Sequence, residues 1–228
     1  MMHEVLIICE GHTEREFCKA VVAQSLHSKG VSLSGTLVGK PHKKRGGISP
    51  WPVYRQEILR LARERDDRSV GVLVDYYAMP SSWPGRPTAP GKALADRAKH
   101  IEDELCIDLN SELGDRFIPC VQLHEFESLL FVDTEATSLT IAAGSGLTTH
   151  DYLADQLNKI RSECNNNVEA INDSPTTAPS KRLIKLCPSY DKVAWGVLSA
   201  KEAGIDTLRD GCQWLDRWLN ALESLGEV

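Results

Sequence analysis

Two kinds of hydrophobic pattern alternate along the first 132 residues. Glu4–Cys9 and Val70–Asp75 are unbroken β-favouring apolar runs, the pattern of strands covered on both faces in a parallel sheet. Leu33–Gly39 predicts a short second strand and Phe117–Leu123 a fourth. After the turn Glu10-Gly11-His12, Phe17, Ala20, Val21 and Gln24 share one helical face, and Gly30 is a stop. Thr13 and Glu16 stand at the spacing of a capping box at its start. Tyr54, Ile58, Leu61 and Ala62 predict an amphipathic, arginine-rich helix over Val53–Arg65, and Leu94, Ala98, Ile101 and Leu105 predict another. The loop Tyr76–Gly91 between them is rich in proline and holds Trp83, which reads as exposed.

Four strand–helix alternations predict an α/β core over residues 1–132, a mostly parallel four-stranded sheet flanked by helices. Residues 133–228 read as a helical C-terminal elaboration, expected to cap the sheet rather than stand as an independent domain. Its helices are predicted around Asp151–Cys164, Lys181–Leu186, Tyr190–Lys201, Ile205–Asp210 and Gln213–Leu225, with Asn165–Ser180 as loop. Trp214, Leu215, Trp218, Leu219 and Leu222 form a helical stripe of core character.

Composition narrows the class. The 228 residues are 42% hydrophobic and 25% charged, which excludes disorder and fibrous repeats as the main organisation. No apolar run approaches the roughly 20 residues of a membrane span, and the N-terminus shows no secretory leader. Seven cysteines, an odd number without a C-x-x-C pair, fit reduced thiols and a cytoplasmic setting. Cys9, on an apolar strand, reads as core. Charge is uneven: Lys40–Arg68 carries nine Lys/Arg against four Asp/Glu, a net +5 within a chain of net −6, so the remainder holds −11. A basic segment on an acidic body suits a phosphate-facing edge, although a solvated helix face accounts for charge alone.

The chemistry gathers where strands end. In open parallel sheets, sites form outside the carboxyl ends of the strands. Glu10 ends the first predicted strand, Asp75 the third, and Glu125 and Glu127 follow the fourth, with Glu14 one helical turn beyond Glu10. Clustered carboxylates repel unless a cation neutralises them, and all-oxygen ligation favours Mg²⁺ or Mn²⁺ over zinc. Singly, each acid has an ordinary explanation as a helix-dipole partner, turn former or surface residue; their coincidence at strand ends marks a shared site.

Glu10-Gly11-His12-Thr13-Glu14 after an apolar strand resembles the E-G-x-T-E signature of TOPRIM-type domains, and Asp75 stands where that family carries D-x-D. With Val74-Asp75-Tyr76-Tyr77, the stretch His124–Phe131 and Ala178-Pro-Ser-Lys-Arg-Leu183, the set resembles the bacterial TOPRIM-like family known as domain of unknown function 4276 over nearly the whole chain. TOPRIM domains occur in topoisomerases, primases, recombination mediators and overcoming-lysogenization-defect nucleases. The resemblance therefore implies a TOPRIM-like fold and Mg²⁺-dependent phosphodiester chemistry. It also implies a phage-defence or mobile-element setting, beside a partner ATPase. It makes Glu10 a metal ligand or proton-transfer group, Glu14 the second acid of the nuclease-like branch and Asp75 the first aspartate of the metal pair. Tyr77 replaces the second aspartate. Glu125 or Glu127 is the candidate to supply the missing carboxylate.

The expected activity is thus a Mg²⁺- or Mn²⁺-dependent nuclease acting on DNA or RNA, with Glu10, Glu14, Asp75 and Lys181 catalytic. Glu10, Glu14, Asp75, Glu125 and Glu127 are the expected metal ligands. Lys40, Lys43, Lys44, Arg45 and Arg182 are the expected nucleic-acid contacts, with Lys192 behind Lys181 and Arg182. A homo-oligomer is a further expected assembly. Trp51 and Trp83 read as base-stacking or packing residues, and His124 as an acid–base group or a hydrogen-bonded structural histidine. Dinucleotide, phosphate-loop, zinc-finger and nucleophile-elbow motifs are missing from the sequence. Two rivals stand beside the nuclease: a non-catalytic adaptor that binds nucleic acid or protein, and phosphoryl or nucleotidyl transfer to a small substrate.

Overall fold

The computed structural model describes residues 2–39, 47–171 and 177–227. The basic candidates Lys40, Lys43, Lys44 and Arg45 lie outside the described residues. The chain forms two compact units, Met1–Leu123 with Trp218–Val228, and His124–Arg217.

The first unit holds the sheet. Strands β1 (His3–Cys9), β2 (Val31–Leu37), β3 (Ser69–Asp75) and β4 (Phe117–Gln122) pair in the order β2-β1-β3-β4, every pair parallel. The chain leaves β1 for β2 on one side and returns to β3 on the other, which makes the β1–β3 junction a topological switch point, the place where open α/β sheets bind ligands. Helix α1 (His12–Phe17) continues through a π-helical turn, Cys18–Val22, into α2 (Ala23–His27). Helix α3 (Trp51–Ala62) leads to β3, and α4 (Leu94–Leu113) to β4. As the apolar runs require, the central strand β3 is buried from Ser69 to Val74. One sheet face packs Ile8, Val70, Val72 and Val74 against Tyr54, Ile58 and Leu61 of α3 and Ala98, Ile101 and Leu105 of α4. The class is therefore the expected one, a four-stranded parallel sheet flanked by helices with a helical C-terminal elaboration.

Close packing at the sheet centre has a measurable consequence. A Cβ built on Gly71 would lie 2.3 Å from the Ile118 carbonyl oxygen of β4 and 2.7 Å from Ile7 Cδ1 of β1. The nearer obstacle is backbone of a neighbouring strand, which cannot rotate aside. Gly71→Ala is expected to destabilise by about 3 kcal/mol, the upper end of ordinary overpacking. Urea denaturation checks this; a loss below about 1 kcal/mol would show that the strands part easily.

Three local expectations are corrected. The capping box does not form: helix α1 starts at His12 with Gly11 as N-cap and no side-chain cap, while Glu16 pairs with Arg15 at 2.7 Å. Trp83 is 1% exposed, its ring 5.0 Å from Trp51 and 4.8 Å from Tyr54, and its indole N–H donates to the Ser49 carbonyl. Packing against α3 holds the indole inward, so both tryptophans are packing residues and neither is a base-stacking platform. Three of the arginines around α3 are engaged within the fold. Arg55 bridges Asp108 and Glu112, Arg60 holds Glu57 and Glu64, and Arg65 holds Glu4 and Asp67. These pairs neutralise much of that segment's positive charge.

The second unit is helical. A 3-10 turn (Phe126–Phe131) is followed by α5 (Thr134–Ser145), α6 (His150–Glu163), α7 (Pro179–Leu186), α8 (Ala194–Ala203) and α9 (Ile205–Gly211). The final helix α10 (Gln213–Glu223), whose residues from Trp218 on belong to the first unit, carries the buried stripe from Trp214 to Leu222. Helix α5 has no counterpart in the sequence pattern, because its buried face is largely hydroxylic. Thr134, Thr137, Ser138 and Thr140 are buried there, Thr137 donating to the Leu130 carbonyl and Thr134 to Asn158. Gly144 lets α8 approach: a Cβ there would lie 2.6 Å from the Trp195 indole nitrogen. Among the described residues no helix is long and apolar enough to cross a membrane.

Candidate active site

Sheet register brings the acids of the first unit together. Cys9 pairs with Leu73 across β1 and β3, so Glu10 and Asp75 emerge side by side. Glu10 N–H donates to the Leu73 carbonyl at 3.0 Å, and Asp75 N–H donates to Glu10 Oε2 at 2.9 Å. The second contact aims the Glu10 carboxylate at the end of β3. Asp75 is opposite Gln122 in the β3–β4 register, and the fully buried Gln122 amide donates to Asp75 Oδ1. Above Gln122, the buried Glu102 of α4 accepts from Val121 N–H at 2.9 Å, fixing that end of β4.

Glycine admits the third acid. A Cβ on Gly11 would sit 2.7 Å from Glu14 Oε2, so the missing side chain is what lets the Glu14 carboxylate fold back over the turn after Glu10. Tyr54 joins the group from α3. Burial, then the neighbouring Glu10, Cys9, Glu14 and Asp75, push its phenol well above the ordinary range. The neighbouring Cys9 thiol is likewise raised, first by its contact with Cys18, whose Sγ lies 3.9 Å away, and then by burial. Both groups are thereby held in their protonated forms. Tyr77, two residues past Asp75, is 49% exposed. The Gly47 N–H donates to the Glu10 carbonyl at 2.8 Å, tying the residue that follows the basic segment to this rim.

Glu10 and Asp75 offer only hard carboxylate oxygen, the set that suits Mg²⁺ or Mn²⁺ held by one or two protein ligands with water completing the shell. Among the described residues no group of three or more His, Cys, Asp or Glu is assembled to hold an ion. The fit is to a sparsely liganded, hydrated cation and not to a protein cage.

Glu125 and Glu127 belong to the second unit, where they face basic and backbone donors. Glu125 accepts from Ser180 N–H at 3.0 Å, and Lys192 Nζ lies 3.6 Å from Glu125 and 3.4 Å from Glu127, which is 2% exposed. Burial, then Glu127, Asp191 and Glu125, push the Tyr190 phenol up beside them. Lys181 is exposed, while Arg182 donates to the Thr177 carbonyl and lies 3.7 Å from Glu163. Tyr54 and Gln122 escaped the sequence reading. Tyr54 sits at a core position of an amphipathic helix, whereas Gln122 left a signal, as the one polar residue in an apolar strand.

His124 is a structural group: buried, it donates from Nε2 to the Glu169 carbonyl at 2.9 Å. Burial holds its imidazole below the usual value, against the opposing pull of the Glu169 carbonyl and the Glu125 charge. The unfolded chain therefore binds that proton more readily. The stability contributed by neutral His124 is present above the ordinary imidazole pKa of about 6.5 and is lost as pH falls below it. In urea titrations from about pH 7.5 to about pH 5.5 the protein should lose more stability than a His124→Gln variant; parallel curves would remove His124 as the cause.

A family model described as "Domain of unknown function (DUF4276)" matches residues 9–223. No curated protein matches the chain. Among solved structures, it is similar to the C-terminal region of the Burkholderia pseudomallei OLD protein, with 17% identity, 99% of each chain covered and a TM-score of 0.49. It is also similar to the C-terminal region of the Xanthomonas campestris pv. campestris OLD protein, with 15% identity, 100% of this chain and 97% of that one covered, and a TM-score of 0.47.

Proposed function

We propose that this chain, which belongs to the domain of unknown function 4276 family, is a Mg²⁺- or Mn²⁺-dependent nuclease that works at the β1–β3 strand ends. The observation that carries this is the contact between the strand-end acids, Asp75 N–H on Glu10 Oε2 at 2.9 Å, at the switch point of a parallel sheet. Glu10 and Asp75 are the residues to hold the cation. When bound, such an ion polarises a phosphodiester and lowers the pKa of an attacking water. Gln122 keeps Asp75 oriented through its amide donor. Glu14, folded over Gly11, is the base that takes the proton of the attacking water.

The substrate's phosphates need cations, and Lys40, Lys43, Lys44 and Arg45 are assigned to them. Gly39, two residues past β2, and Gly47, bonded to Glu10, bound the segment that carries these four. Lys181 and Arg182 remain candidates for phosphate contacts from the second unit. A partner ATPase and a phage-defence role complete the proposal, since the sequence has no phosphate-loop motif of its own.

One observation favours a second reading, a non-catalytic adaptor: an exposed Tyr77 stands where a second metal-binding aspartate is expected. The two separate on incubation of the purified protein with plasmid, single-stranded DNA and RNA, with Mg²⁺ or Mn²⁺ and with chelator. Chelator-sensitive cleavage supports the nuclease. Intact substrate with retained binding overturns it in favour of the adaptor.

A further inference from the structure

We propose that Tyr54 is a further member of the strand-end site, a positioning residue whose hydroxyl donates to an oxygen that arrives with the bound, hydrated cation. The inference rests on the cation site proposed above and adds a donor to it. Tyr54 lies in the first turn of α3, the helix that returns from the β2 side to the start of β3. In a parallel sheet such a helix begins at the carboxyl ends of the strands, level with Glu10 and Asp75. Its side chain is 0% exposed and packs with Trp83 in the cluster that contains Ile8, Val72 and Val74, residues just preceding the two acids.

The ring is fully accounted for by packing, but the oxygen is not. Tyr54 Oη is buried and has no hydrogen-bond partner among the described residues. An unmet buried donor costs free energy, and phenylalanine would fill the same space without that cost. Three carboxylates bear on this hydroxyl, yet none accepts from it. A donor beside acids that do not accept it is matched by an oxygen of the water shell that those acids would organise. Polar groups that orient a metal's shell in this way set its affinity.

Tyr54→Phe tests the assignment in two measurements on the full chain. In metal-free protein the melting temperature should stay equal or rise, because an unmatched polar atom is removed. Mn²⁺ affinity, read from the electron paramagnetic resonance signal of free Mn²⁺ during titration, should fall about 10-fold. Unchanged Mn²⁺ affinity in the variant overturns the role of Tyr54 while leaving the cation site standing. A lower metal-free melting temperature also overturns it, since the hydroxyl would then already be matched inside the fold. Failure of the unsubstituted protein to take up Mn²⁺ overturns the cation site and the role of Tyr54 with it.

Discussion

Glu10→Gln is expected to reduce chelator-sensitive cleavage by about 10²–10³-fold, the scale on which one electrostatic group at a reacting centre acts. The substitution is nearly isosteric, and its amide oxygen can still accept the Asp75 N–H that Glu10 accepts at 2.9 Å. Geometry is thereby kept while the charge that would hold a cation is removed. Asp75→Asn should behave alike, because its remaining oxygen can still accept from Gln122. Thermal unfolding of both variants should match that of the parent. Cleavage at the parent rate in either variant would place the reaction elsewhere. A loss matched by an equal loss of folded protein would reduce these acids to structural groups.

Trp83→Ala should be the most destabilising of the substitutions considered, by about 3–5 kcal/mol, the range for emptying a buried aromatic site. Trp83 joins three parts of the first unit. Its ring meets Trp51 and Tyr54 at the start of α3, its indole N–H satisfies the Ser49 carbonyl, and its own loop follows β3. Trp83→Phe keeps most of the packing and deletes the indole donor, so it should cost nearer 1 kcal/mol. Chemical denaturation of the pair distinguishes packing from hydrogen bonding. Near-native stability of the alanine variant would mean that this loop carries little of the core. Because Tyr54 packs at a tilt against the same ring, the alanine variant is also expected to disturb the strand-end rim.

The sheet was legible because its central strands carry unbroken apolar runs, a pattern that few other environments produce. Glu10 and Asp75 were legible for a related reason, since each is the first acid after such a run. Three features resisted for separate physical reasons. Helix α5 buries hydroxyls that are satisfied locally, so its inner face lacks the hydrophobic period that marks a helix. Trp83 sits among prolines that look like surface loop, and only tertiary packing against α3 turns it inward. The arginines near α3 look like a basic face until Asp108 and Glu112 arrive from α4. The Tyr54 hydroxyl, unmatched among the described residues, lay beyond any one-dimensional pattern, because missing partners are visible only in three dimensions.

Glu102 has a consequence beyond fixing the end of β4. That strand is one of the two edges of the described sheet, and an edge strand normally displays lateral amide hydrogens to which a foreign strand can attach. At Val121 the amide is already taken by a carboxylate from the molecule's own α4. An intruding strand would have to displace a buried carboxyl group to gain a single bond, so the sheet resists unwanted growth on its β4 flank.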